Sequence, residues 1–170
     1  MKSFVICFFM LFCVLSYSQE KTIDSLKNVL NHTKNDIDKA ELLNAIASEY
    51  MSSDPKQMRE YANKALELSK KIKYRIEEGN ACLNLGNVNV ILGNYSLALD
   101  NFSNAQEIFE ADLVTDLKNS TKIKNGLARA YGSIGIVFSE QSNYAKALQY
   151  HLKAVRIYEE MKDGARTARI

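Results

Sequence analysis

The chain has 170 residues, with 22 Lys plus Arg against 20 Asp plus Glu, two histidines and a formal charge of +2. That length supports one domain with a real core. The balanced charge argues against a nucleic-acid or strongly membrane-steered surface, which needs clustered positive charge.

Residues 1–18, MKSFVICFFMLFCVLSYS, differ in kind from the rest. Lys2 gives a positive start, Phe4 to Leu15 is apolar, and Ser16-Tyr17-Ser18 supplies small residues before Gln19. This is the anatomy of a secretory signal peptide. The run is too short for a bilayer, which needs about 20 apolar residues. The expected location is therefore outside the cytoplasm, periplasmic or secreted, with a retained N-terminal anchor or a tether in a longer receptor as alternatives. Neither Cys7 nor Cys13 follows the small residue usual before a lipidated cysteine. Cleavage would leave Cys82 alone, so the mature chain has no internal disulfide to rely on.

From Gln19 onward apolar residues recur at intervals of three and four, which is helical spacing. Ile23, Leu26, Val29 and Leu30 form the stripe of a leading helix, assigned to 19–38. Leu42, Leu43, Ile46, Ala47 and Tyr50 form the next, ended by Ser52-Ser53-Asp54-Pro55. Pro55 suits a first helical turn, where a missing N–H costs little. Met58, Tyr61, Ala62, Ala65, Leu66 and Leu68 carry a third helix to about Ile72. A fourth runs to about Leu92, and Gly93-Asn94 turns the chain into a fifth from Tyr95. No segment alternates with period two for long, and one proline with seven glycines leaves few breaks. The expected class is all-α.

The stretch LGNVNVILGNYSLALDNFSNA, from Leu85, returns 49 residues later as IGIVFSEQSNYAKALQYHLKA, from Ile134. In the second copy Ser142-Asn143 replaces Gly93-Asn94, which predicts a different turn there. Small residues repeat at Gly86 and Gly135, and at Ala98 and Ala105 against Ala147 and Ala154. Such residues let helices approach closely while large neighbours such as Phe102 fill the gaps.

These positions resemble the tetratricopeptide repeat, a helix–turn–helix unit with the pattern W-x2-L-G-x2-Y…A-x3-F. The clearest copy has Cys82, Leu85, Gly86, Asn89, Ala98, Phe102 and Ala105. The next has Tyr131, Ile134, Gly135, Phe138, Ala147, His151 and Ala154. A degenerate first copy has Leu43, Ile46, Ala47, Tyr50, Met58, Ala62 and Ala65. The resemblance implies a short right-handed solenoid over 39–170, with repeats at about 39–72, 79–112 and 128–161. Asn89 stands where the pattern has an aromatic, and the tryptophan and closing proline are missing. The small residues are 39 and then 49 apart, against about 34 in the consensus; the excess should lengthen the helices around Phe109–Lys124. Val155, Ile157 and Tyr158 would lack a covering helix, which points to truncation, further repeats, or self-association through the C-terminal helix face.

No catalytic or metal-binding set can be assembled. His32 and His151 come without HExxH or CxxC, and His151 falls where the repeat has an aromatic. Cys82 occupies a core position without an activating base. The two glycines of LGNVNVILGN lack the Lys-Ser/Thr of a phosphate loop. Lys70, Lys71, Lys73 and Arg75 sit at a helix C-terminus, where cations suit the backbone dipole, and read as a solvated face. No cofactor, metal or nucleic acid is expected.

The resemblance places binding on the concave side, lined by the first helix of each repeat. The expected lining is Asn44, Ser48 and Met51, then Asn80, Leu83, Asn87 and Val90, then Gly132, Ile136 and Ser139, with Arg129 nearby. Each set keeps to one helical face. Amides and aliphatics together suit a peptide or helix, and the lysines and arginines of a carboxylate clamp are missing apart from Arg129. The expected function is a non-catalytic, exported binder of a protein or peptide. The alternative, from a resemblance to the exported N-terminal repeat regions of histidine kinases, nucleotide cyclases and transcriptional regulators, is a sensory fragment of a signalling receptor.

Overall fold

The computed structural model describes the backbone of residues 19–167 and the side chains of residues 19–162. The signal-peptide assignment to 1–18 lies outside them.

The leading segment expected over 19–38 divides in two. Helix α1 covers residues 19–32, and α2 spans Asp36–Glu49. Asn35 makes the break, because its side chain accepts from the Ile37 N–H at 2.8 Å and caps α2, with Asp36 and Asp38 in the favourable first turn. Asp54 caps α3 (Pro55–Ile72) by accepting from the Lys56 and Gln57 N–H groups at 2.9 and 3.0 Å, and Pro55 takes the first helical position as expected.

Helices α4 (Arg75–Ile91), α5 (Tyr95–Thr115), α6 (Ser120–Glu140) and α7 (Tyr144–Thr167) follow. The described residues contain no strand. Helices α5 and α6 have 21 residues each against 17 for α4, so the extra spacing between copies is taken up in helix length. No described helix is long and apolar enough to cross a membrane.

Consecutive helices pair as α2/α3, α4/α5 and α6/α7, and each second helix also packs on the next first helix. The first helices touch one another across the stack, α2 on α4 and α4 on α6. They form an inner layer, and α3, α5 and α7 form an outer one. This is a tetratricopeptide-type stack of helix hairpins. Helix α1 closes its start: Gln19 donates to the Glu49 carbonyl, Lys27 donates to the Tyr50 hydroxyl at 2.8 Å, and Leu30 packs near Leu43 and Ala65. It runs against α2 and gives the first repeat a polar outer cover.

The small–large code is seen directly. Ala47, Ala98 and Ala147 are all buried. A Cβ on Gly86 would lie 2.3 Å from the Phe102 ring, and one on Gly135 2.6 Å from the His151 ring. His151 thus takes the packing place of the aromatic. Phe109 goes further, because its ring sits against both Gly79 of α4 and Gly126 of α6. It wedges between two inner helices. Cys82 is buried, and loss of solvation pushes its thiol up to about 11, so it stays protonated and inert at neutral pH.

Two expectations are corrected. Ser142 does not make a different turn. It adopts φ 59°, close to Gly93 at 73°, and the Asn143 and Asn94 N–H groups reach back to Phe138 and Asn89 with the same 2.8 Å bond. Lys73 closes α3 the same way at φ 57°. A left-handed residue with a side chain costs about 1 kcal/mol or more, so Ser142→Gly should raise the melting temperature by about 2–4 °C. Unchanged or lower melting would show that the serine is unstrained. The basic run is exposed as expected, but Arg75 begins α4 rather than ending α3, and its Nε donates to Asp112 Oδ1 at 2.7 Å, tying the start of α4 to the end of α5.

Candidate functional site

Because each outer helix reverses the chain, α2, α4 and α6 run parallel and expose matching ends on one face. The second half of α2 and the N-terminal halves of α4 and α6 surround an opening of about 460 Å³. Helix α2 contributes Glu41, Asn44 and Ser48; α4 contributes Glu77, Asn80 and Asn84; α6 contributes Lys122, Asn125 and Arg129. Each trio has i, i+3, i+7 spacing, which holds it to one side of its helix.

Hydrogen bonds link the trios from helix to helix. Asn44 Nδ2 donates to the Glu77 carbonyl at 2.9 Å and to Glu77 Oε2 at 2.7 Å. Asn84 Nδ2 donates to the Asn44 carbonyl at 3.1 Å, and Ser48 Oγ donates to Asn84 Oδ1 at 3.1 Å. Asn80 donates to Glu77 Oε1 at 2.9 Å and accepts from Arg129 at 3.2 Å. At the rim Lys122 Nζ and the Tyr74 hydroxyl both donate to Glu41 Oε1, at 3.1 and 3.0 Å. Buried polar groups are tolerated when so satisfied, and the bonds fix Asn44 and Asn84 as floor rather than as free donors.

Glu77 is the exception in charge. Burial pushes its carboxyl above the ordinary range, and the bonds from Asn44 and Asn80 pull it only partly back, with Glu41, Lys122 and Arg129 the nearby charged groups. Between the unfolded pKa and the higher folded one, the folded state binds the proton more tightly, so this group's contribution to stability falls as pH rises. Glu77→Gln should remove that fall. Urea unfolding of both proteins across mildly acidic to neutral pH measures it; parallel profiles would mean that Glu77 is solvated.

Further along, this face is apolar on α4 and α6. Met51, just past α2, joins Asn87, Val90 and Ile91 of α4 and Ser133 and Ile136 of α6 around a shallow hollow of about 120 Å³. Met51, Ile91 and Ile136 are exposed. The concave face is therefore polar at one end and apolar at the other. Among the described residues no cluster of three or more His, Cys, Asp or Glu could hold a metal.

No family model matches the chain. No curated protein matches its sequence. Among solved structures it is similar to a crystal structure of MamA, with 21% identity over 88% of this chain and 94% of that one, at a TM-score of 0.42.

Most of the expected lining lies on one of the two ends: Asn44, Ser48, Asn80 and Arg129 at the polar end, and Met51, Asn87, Val90 and Ile136 at the apolar one. Leu83 does not. It is 1% exposed and belongs to the core between the layers. Ser139 lines neither opening, and its carbonyl accepts from the Ser142 N–H in the α6–α7 turn. Gly132 faces open space.

Glu41, Glu77, Asn84, Lys122 and Asn125 were not legible from repeat register. The polar trios begin 36 and then 45 residues apart, three and four fewer than the small-residue spacings. The polar face thus drifts about one helical turn toward the N-termini per repeat. The recurring polar i, i+3, i+7 trio is the signal that finds it.

Proposed function

We propose that the chain is a non-catalytic scaffold whose concave face holds a peptide segment of a protein partner. One observation carries this: three parallel helices put an open apolar shelf and a polar, hydrogen-bonding recess end to end on one surface. A bound segment would set an apolar side chain on Met51, Val90 and Ile136, and would meet the free capacity of Asn80, Asn125 and Arg129 with backbone or acidic groups. The apolar run of residues 4–15 supports action outside the cytoplasm. The sensory role in a longer receptor is a narrower form of the same reading, in which the held segment is the signal.

The test is selection of a random peptide library on the purified protein, followed by binding to Val90→Asp and Ile136→Asp. Both positions are partly or fully open to solvent, so the variants should keep their helical circular dichroism. We expect selected peptides to share an apolar residue and to lose at least about tenfold in affinity, as a lost apolar anchor of 1.4 kcal/mol implies. Peptides that bind both variants as well as the parent would refute the assignment. Leu83→Asp is unsuitable, because a charge at that buried position would unfold the protein.

A further inference from the structure

The polar recess holds a chain of three side chains that a single proton can rearrange. Glu77 of α4 is 6% exposed, and each of its carboxylate oxygens already accepts a bond. Oε2 takes one from Asn44 of α2 at 2.7 Å, and Oε1 takes one from Asn80, the next turn of α4, at 2.9 Å. The Asn80 amide is thereby turned so that its Oδ1 accepts from the Arg129 guanidinium of α6 at 3.2 Å. Among the described residues Arg129 forms no ion pair, whereas Lys122 has Glu41. The charge that balances Arg129 is therefore Glu77, one amide away.

A protonated carboxyl cannot keep both bonds, because one of its oxygens becomes a donor. Asn44 cannot make way for it. Its Nδ2 is also held by the Glu77 carbonyl at 2.9 Å, and its Oδ1 accepts from Asn84 at 3.2 Å. Asn80 is tied to Glu77 and Arg129 alone. The new O–H thus falls on Oε1, and the Asn80 amide turns over to accept from it. Asn80 Nδ2 then faces Arg129, donor against donor, and that bond is lost.

We propose that Glu77, Asn80 and Arg129 form a proton-operated latch, in which protonation of Glu77 releases Arg129 to take an acidic side chain of the bound segment. The proposal rests on the concave face being the binding face. With Glu77 ionised, the charges of Glu41, Glu77, Lys122 and Arg129 cancel; with Glu77 neutral, the recess keeps one uncompensated positive charge. Glu77 is faced by Glu41 from α2 and by Lys122 and Arg129 from α6. The charge that α3 brings, Lys70, acts on Cys82 instead, and Asp112 of α5 is taken by Arg75. Burial raises the Glu77 carboxyl above the ordinary carboxylate range. In mildly acidic solution Glu77 is then neutral while an exposed acid on the partner is still charged. Binding is tightest in that window.

Two sets of measurements on the full chain test it, the first with no ligand present. Nuclear magnetic resonance should show the Asn80 side-chain amide and the Arg129 Nε–H moving with the Glu77 carboxyl carbon, at one midpoint, between about pH 8 and about pH 5. In Asn80→Ala, Glu77 should still titrate and Arg129 should no longer follow. An Arg129 signal that stays still in the parent, or that follows equally well without Asn80, would overturn the latch. So would a Glu77 that does not titrate in this range. The second set uses peptides selected on the protein that carry an acidic residue. They should bind about tenfold more tightly near pH 5.5 than near pH 7.5. Glu77→Gln supplies at neutral pH the donor that the proton creates, so it should bind them at both pH values as tightly as the parent does in acid. Affinities independent of pH in the parent would overturn the proposal. Failure to select any peptide would overturn the binding reading and the acidic partner with it, whereas the latch itself is read on Arg129 alone.

Discussion

Phe109→Ala is expected to be the most damaging single change in this chain, costing about 3–5 kcal/mol. The ring is fully buried and rests on Gly79 in its own repeat and on Gly126 in the next. Truncation removes its packing on both sides at once, and two rigid inner helices cannot both collapse into the space left. Against a total stability of about 5–15 kcal/mol, that is a large fraction. Repeat stacks hold together by neighbour interfaces, so the loss should fall on the junction between α4/α5 and α6/α7. Chemical denaturation followed by circular dichroism should show a lower midpoint and a broader transition. A loss below about 1 kcal/mol, the ordinary size for an unremarkable substitution, would mean that the ring is not the wedge between the two layers.

Gly86→Ala should destabilise the protein although alanine is the better helix former. The helix gains about 1 kcal/mol from the change. Against this, the new methyl would lie 2.3 Å from the Phe102 ring, which has no exposed surface and no room to retreat; overpacking of that kind costs about 1–3 kcal/mol. The clash outweighs the propensity. At Gly135 the balance shifts, because the atoms met belong to the half-buried His151 ring, which can swing toward solvent. At Gly132 nothing lies within 4 Å, so only the helical gain remains. Thermal melts should therefore rank Gly132→Ala above Gly135→Ala, and both above Gly86→Ala. A Gly86→Ala protein melting at or above the parent would put the α4–α5 contact in doubt.

That small residues make room for large ones in each hairpin could be read from sequence, because these packing partners are local in register. Gly86 and Phe102, or Gly135 and His151, are sixteen residues apart on two arms of one hairpin. A tight turn and a 3.6-residue period bring such pairs together whatever the rest of the chain does. The caps at Asn35 and Asp54 are more local still. The turn at Asp54-Pro55 was legible, whereas the break at Asn35 was missed, because the apolar stripe of α1 fades gradually while an Asx cap breaks the helix at one residue.

The binding face was legible in kind and not in detail. Asn44, Asn80, Val90 and Ile136 lie on it, yet Leu83 is core although it has the same register as Asn44 in the first copy. Helices of unequal length, 14 residues in α2 and 21 in α6, cannot keep equivalent residues level when they pack side by side. The lining therefore shifts along them. Ser142 makes the same point about turns. Residue preference suggested a different connection, but α6 and α7 had to meet as α4 and α5 do, and that requirement set the backbone at a cost to the serine.

By itself, then, the sequence determined that this protein is a stack of helix hairpins, where the turns at Pro55 and at Gly93-Asn94 fall, and that small residues on one arm of a hairpin make room for large ones, since all of these follow from spacing along one or two helices. Only the tertiary structure decided that Glu77 is buried with amides for partners, and that the concave face has a polar and an apolar end. Each depends on how far one hairpin slides and turns against the next, a quantity set by the sum of many contacts between repeats and written at no single position.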